Sequence, residues 1–179
     1  EDKLLALIEN GETLYPIAAT PAQGFAELLA DLSAALHMSR RQARFSLSLL
    51  RTALYLAPDN IFLKLQLAES KLAEGAYSAA IDLYEDIAEA PLLHETALLQ
   101  GARSAVIAER PDEARRFTDT LAQVTPLTPF LIAEIATLYR SIESCEEALS
   151  YYNRLLRSNN IEMFSTERQA ELHFSRGTC

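Results

Sequence analysis

A ruler of small residues runs through this chain. Stepping by 34 from Ala68 lands on Ala34, Ala102 and Ala136, and stepping by 34 from Ala80 lands on Ser46, Ala114 and Ala148. Seven of the eight positions are alanine and the eighth is serine, in a chain where about one residue in six is alanine. Two helices approach to about 8–10 Å only where the side chains between them are small. The recurrence therefore restricts the chain to a row of similar helix pairs.

Residues 61–91 show one such pair. Leu63, Leu67, Ala68 and Leu72 fall on one face of a helix expected at 62–74, and Gly75 supplies the break that reverses the chain. Ala80, Ile81, Tyr84 and Ile87 recur at helical spacing in a second helix expected at 78–90. Pro91 cannot continue the hydrogen-bond ladder, so that helix stops there.

The same reading divides the whole chain. Residues 1–20 read as the end of a preceding repeat and a connector: a helix over 1–10 closed by Gly11, then Pro16 and Pro21, each disfavouring helix in the residue before it. Four helix pairs follow at about 21–60, 61–92, 93–127 and 128–160. In the first, helices are expected at 22–38 and 41–57, with Ser39 as N-cap and Leu47, Leu50, Ala53 and Leu54 facing inward. In the third, at 93–109 and 111–124, Pro111 sits where its missing N–H costs nothing, and Asp112 and Glu113 complement the positive helix end. In the fourth, at 129–141 and 145–158, Leu131, Ile135, Leu138 and Tyr139 face Ala148, Leu149, Tyr152 and Leu155, and Asn159 and Asn160 break the chain.

Residues 161–179 read as the first helix of a truncated further repeat, at 166–177, with Gly177 where the other repeats have alanine. That alignment implies an insertion near 159–165. A helix without its partner leaves an apolar face, to be covered by the neighbouring unit or by another chain. The chain starts at Glu1 without a methionine, so it reads as a piece of a longer protein whose targeting segment, if any, lies elsewhere. The compartment is left open between cytoplasm and export.

Composition narrows the function classes. With 49% hydrophobic and 23% charged residues the chain can fold around a core, and plentiful Ala, Leu and Glu with only 5 Gly favour helix. A net charge of −9 argues against a nucleic-acid surface, because neutralising phosphates takes clustered Lys and Arg. Arg40, Arg41 and Arg44 make a short basic cluster that reads as a solvated helix face. No apolar stretch is long enough to span a membrane.

No catalytic or metal constellation emerges. His37, His94 and His173 share no ligand spacing with a cysteine or carboxylate, and His94 beside Glu95 reads as a helix-start pair. Cys145 reads as a buried thiol between helices. Two cysteines, Cys145 and Cys179, do not make a disulfide scaffold. Gly75, Gly101 and Gly177 are isolated, so no phosphate loop is present. Glu146 and Glu147, like Glu85 and Asp86, are neighbours that point about 100° apart on a helix and form no paired-carboxylate site. The expectation is a protein without enzymatic activity, cofactor or metal.

Leu67, Ala68, Gly75, Tyr77, Ala80, Tyr84 and the closing Pro91 resemble the tetratricopeptide repeat, a 34-residue helix–turn–helix unit. The segment from Pro21-Ala22-Gln23-Gly24-Phe25-Ala26-Glu27 through Ala53–Pro58 to Arg176 and Gly177 is similar to the long repeat proteins of alphaproteobacteria. The chain has no Trp at the family's aromatic position and Ala in place of Gly at the small position. The resemblance implies an all-α, right-handed solenoid of antiparallel helix pairs that serves as a scaffold, binding a protein or peptide in a concave groove. In the family the groove is lined by first-helix positions, which here are Phe62, Leu65, Gln66, Glu69 and Leu72, then Leu99, Gln100 and Arg103, then Phe130, Glu134, Thr137 and Arg140. The lysine and asparagine clamp that some members use for a C-terminal carboxylate is absent at these positions. An alternative is self-association, with end helices joining two copies.

Overall fold

The computed structural model describes residues 18, 20–37, 43–157 and 159–179. The expected helix over 1–10, Gly11, Pro16, the Ser39 cap, Arg40 and Arg41 lie outside them. Among the described residues the chain is helical and has no strand: α1 (Pro21–His37), α2 (Ala43–Leu56), α3 (Ile61–Ala73), α4 (Tyr77–Ala88), α5 (His94–Ile107), α6 (Pro111–Leu121), α7 (Pro129–Ser141), α8 (Cys145–Arg157), a 3-10 turn at Asn159–Met163, and α9 (Thr166–Gly177). Two compact units divide inside α3, at Glu1–Leu67 and Ala68–Cys179.

In the first unit, α1 opens with a reciprocal cap. The Gln23 N–H donates to Thr20 Oγ1 at 3.2 Å and the Thr20 N–H donates to Gln23 Oε1 at 3.1 Å, with Pro21 at the first helical position. Asn60 caps α3 by accepting from the Phe62 and Leu63 N–H groups at 3.0 and 3.2 Å. Helix α1 packs on α2 through Ala26, Ala30, Leu50, Ala53 and Ala57, joined by Leu63.

One ruler position departs from expectation here. Ala34 is exposed, and the residue buried opposite Ser46 is Ser33. Ala26, Ala30 and Ser33 form one stripe at helical spacing, whereas Ala34 lies a further 100° round the helix. Each serine hydroxyl donates to the other's backbone carbonyl at 2.8 Å, and the two oxygens are 2.9 Å apart. Serine therefore crosses as closely as alanine and still satisfies its polar atom.

In the second unit the ruler holds. Ala68, Ala80, Ala102, Ala114, Ala136 and Ala148 are each 0% exposed. Around them Ile81, Leu98, Phe117, Leu121, Leu131, Ile135, Tyr152 and Leu155 form one core that continues to Leu172 on α9.

The chain reversals repeat too. Gly75, Glu109 and Glu143 stand 34 apart and all have positive φ, at 74°, 56° and 59°. In each, that residue's N–H bonds the carbonyl three residues back and the next N–H bonds the carbonyl five residues back, as in Gly75 to Leu72 and Ala76 to Lys71, both at 2.9 Å. This pair of bonds satisfies the last carbonyls of α3, α5 and α7. Helix α4 ends at Ala88, just ahead of Pro91.

Volume is traded between repeats. Tyr84, Thr118 and Tyr152 occupy one register on α4, α6 and α8, all fully buried. The middle repeat has the small Thr118 there and moves its aromatic ring to Phe117, which lies over Gly101. A Cβ on Gly101 would stand 2.6 Å from Phe117 Cε1.

Polar links tie second helices together. Arg116 on α6 pairs with Glu85 on α4, and Arg115 donates to Glu147 on α8 at 3.0 Å. Glu147 is held below the usual carboxylate range by its own backbone N–H and then by Arg115. Tyr139 donates to Asp119 at 2.7 Å and stacks on Tyr151 with ring centres 5.7 Å apart, so burial and the Asp119 bond push its hydroxyl pKa up.

One expectation about the tail changes. Cys145 is not a free thiol: it forms a disulfide with Cys179, with Cα atoms 5.3 Å apart. The start of α9 is displaced relative to α7: its cap Ser165 stands 37 residues after Thr128, the cap of α7, three more than one repeat. Arg168, 34 after Glu134, lies 3.5 Å from it, whereas Ala170, 34 after the fully buried Ala136, is exposed. Residues around 159–165 are taken up by the 3-10 turn and the Ser165 cap, which accepts from the Arg168 N–H at 3.3 Å.

Candidate binding face on the first helices

Helices α5, α7 and α9 each supply a polar residue in one register, Gln100, Glu134 and Arg168, with Arg103, Thr137 and Glu171 one turn further on. Four of these side chains meet. Arg103 Nη2 donates to Glu134 Oε2 at 2.6 Å, and Arg168 Nη2 lies 3.5 Å from Glu134 Oε1. Arg168 also pairs with Glu171 on its own helix at 2.6 Å. The result is a charged row across three helices, centred on one carboxylate.

Burial divides the row unequally. Glu134 is 7% exposed, a burial that a carboxylate tolerates because cations meet both its oxygens. The side chains of Arg103 and Arg168 keep 40% and 33% exposure, so their remaining N–H groups face solvent. Beside them Arg140 and Phe130 are exposed, Phe130 by 54%. Gln100 and Thr137 are half-buried, Thr137 with its hydroxyl bonded back to the Ala133 carbonyl at 2.9 Å. The face presents guanidinium donors and an aromatic ring around an already neutralised acid.

The remaining expected residues separate. Leu99 belongs to the hydrophobic core, because its neighbours Leu98 and Ala102 turn that side of α5 inward. On α3, Phe62, Leu65 and Gln66 are half-buried within the first unit, while Glu69 is exposed and Leu72 half-buried in the second. Arg168 was missed by the sequence reading. It stands 34 after Glu134, but the expected alignment of the tail on Gly177 puts Ser175 in that position.

Other chemistry is spare. The His94 Nδ1 donates to the Ala88 carbonyl at 2.6 Å, which fits a helix-start residue. Among the described residues, no group of three or more His, Cys, Asp or Glu is placed to hold a metal ion, and no helix is long and apolar enough to cross a membrane.

No protein-family model matches the sequence, and no curated protein matches it. Solved structures do. MamA AMB-1 is 22% identical over 93% of this chain and 92% of its own, with a TM-score of 0.62. YrrB, described as a TPR protein with an unusual peptide-binding site, is 17% identical over 99% of this chain and 81% of its own, at 0.61. MamA 41-end from Desulfovibrio magneticus RS-1 is 12% identical over 90% and 96%, at 0.63. With the 34-residue step, the buried alanines and the repeated reversals, this likeness shows that the chain has the tetratricopeptide-repeat fold.

Proposed function

We propose that this protein is a non-catalytic scaffold that holds a protein or peptide segment against its first-helix face. The observation that supports the reading is the row Arg103, Glu134 and Arg168, in which the first and third of three successive first helices place partly exposed guanidinium groups either side of a buried carboxylate on the second. Extended segments suit such a face, because backbone carbonyls and carboxylates along them can accept from successive helices. YrrB, of the same fold, carries a peptide-binding site in its description. The partner's identity is decided by experiment.

That experiment compares capture of partners by the wild type, by Arg103→Glu, by Phe130→Ala and by a second-helix control, Asp82→Arg. Loss of the same captured protein in the first two and its retention in the control is expected. Retention in all three, with folding verified by circular dichroism, refutes the face. An intrinsic turnover that disappears on mutating a face residue would refute the non-catalytic reading.

A second reading, self-association, has its own observation. Ala170 continues the small-residue ruler but is exposed, and Phe174 on the same helix is 70% exposed. Helix α9 therefore offers an open crossing face, which suits a helix from a second copy. Sedimentation at several concentrations tests it: Ala170→Arg abolishes any dimer if the reading is right and leaves it unchanged if wrong.

A further inference from the structure

Helix α9 is held to the second unit by few attachments. Of its side chains only Leu172 and Ser175 are buried, and Arg168 adds a 3.5 Å ion pair to Glu134. Glu167, Ala170, Glu171, His173, Phe174 and Arg176 are exposed. The remaining attachment is covalent: Cys179, two residues past α9, is joined to Cys145, the first residue of α8. Both cysteines are half-buried, within reach of a small thiolate.

We propose that the Cys145–Cys179 bond is a redox staple that sets whether α9 stays docked, and with it whether Arg168 remains in the charged row. The bond closes a loop of one repeat length, so cutting it returns to α9 the freedom that two buried side chains alone poorly restrain. The reductant is a dithiol. Its first thiolate attacks one protein sulfur, forming a mixed disulfide and expelling the other cysteine as a thiolate. Its second thiolate then attacks the first reagent sulfur, releasing the second cysteine. Two electrons pass to the protein, which ends with two thiols, and the reagent leaves as a cyclic disulfide. Reduction would withdraw Arg168 from Glu134 and shorten the face from three helices to two. Its effect on partner binding rests on the proposed function, whereas its effect on α9 does not.

The test is hydrogen exchange on the whole chain, oxidised, reduced with dithiothreitol, and reoxidised. Reduction is expected to speed exchange across Thr166–Gly177 by about tenfold or more, to leave α5 and α6 unchanged, and to be reversed on reoxidation. A Cys145→Ser, Cys179→Ser double variant should behave as the reduced protein and ignore dithiothreitol. Equal protection of α9 in both redox states overturns the proposal, as does full alkylation of both cysteines before any reductant is added. Because no partner enters this readout, the staple can stand where the binding face fails, and the converse holds.

Discussion

Arg103 on α5 and Glu134 on α7 meet at 2.6 Å although the acid is buried and the base is not. The unequal burial makes the two substitutions unequal. Arg103→Ala leaves a carboxylate with only the 3.5 Å approach of Arg168, whereas Glu134→Gln frees two arginines that can rehydrate. Arg103→Ala should therefore cost more stability than Glu134→Gln, with a coupling of about 1 kcal/mol in a double-mutant cycle read by denaturant unfolding. Additive effects would show the contact to be energetically idle.

The three reversals give opposite expectations by residue type. At Glu109 and Glu143 a side chain is held in the left-handed region, so glycine there should stabilise by about 0.5–1 kcal/mol each. Gly75→Ala should destabilise by about 1 kcal/mol. Thermal melts of the three variants check the signs.

At Gly101 the added methyl of alanine runs into the Phe117 ring. Overpacking of this kind costs about 1–3 kcal/mol. Phe117→Leu in the same chain should recover part of the loss, and a double variant no better than Gly101→Ala would contradict the steric account.

The buried tyrosines separate by their hydroxyls. Those of Tyr84 and Tyr152 meet no hydrogen-bond partner among the described residues, so Tyr→Phe at either site should be neutral or stabilising by up to about 1 kcal/mol. Tyr139→Phe should instead lose about 1 kcal/mol with its Asp119 bond.

Burial, then the charge of Glu69, pushes the Tyr84 hydroxyl up to about 12. Its folded pKa thus exceeds the unfolded value near 10, and the folded state holds the proton more tightly. The contribution is complete below pH 10 and is lost as the pH rises towards 12. Tyr84→Phe should flatten the stability profile in that interval, measured by urea unfolding at several alkaline pH values.

Much of the fold was legible because close helix crossing demands small side chains, and Ala68, Ala80, Ala102, Ala114, Ala136 and Ala148 answer that demand. Gly75 was legible as a reversal because glycine advertises positive φ. Glu109 and Glu143 were not, since glutamate gives no local sign of it and only stepping along the ruler finds them. Ser33 displaced Ala34 because a hydroxyl pair can bury itself by mutual bonding, which hydropathy does not register. In the binding face the positions were readable from the repeat, whereas the approach of Arg168 to Glu134 depends on how the 3-10 turn and the Ser165 cap place α9, which the repeat does not specify.

The ion pairs between the second unit's neighbouring repeats span about one repeat of chain, and the Tyr139–Asp119 bond spans 20 residues. Arg103 and Glu134 are 31 residues apart, Arg115 and Glu147 are 32, and Arg116 and Glu85 are 31. Nothing in this arrangement waits for a remote part of the sequence. A nascent polypeptide can complete each layer soon after one more repeat leaves the ribosome, so the second unit should mature progressively and quickly during synthesis.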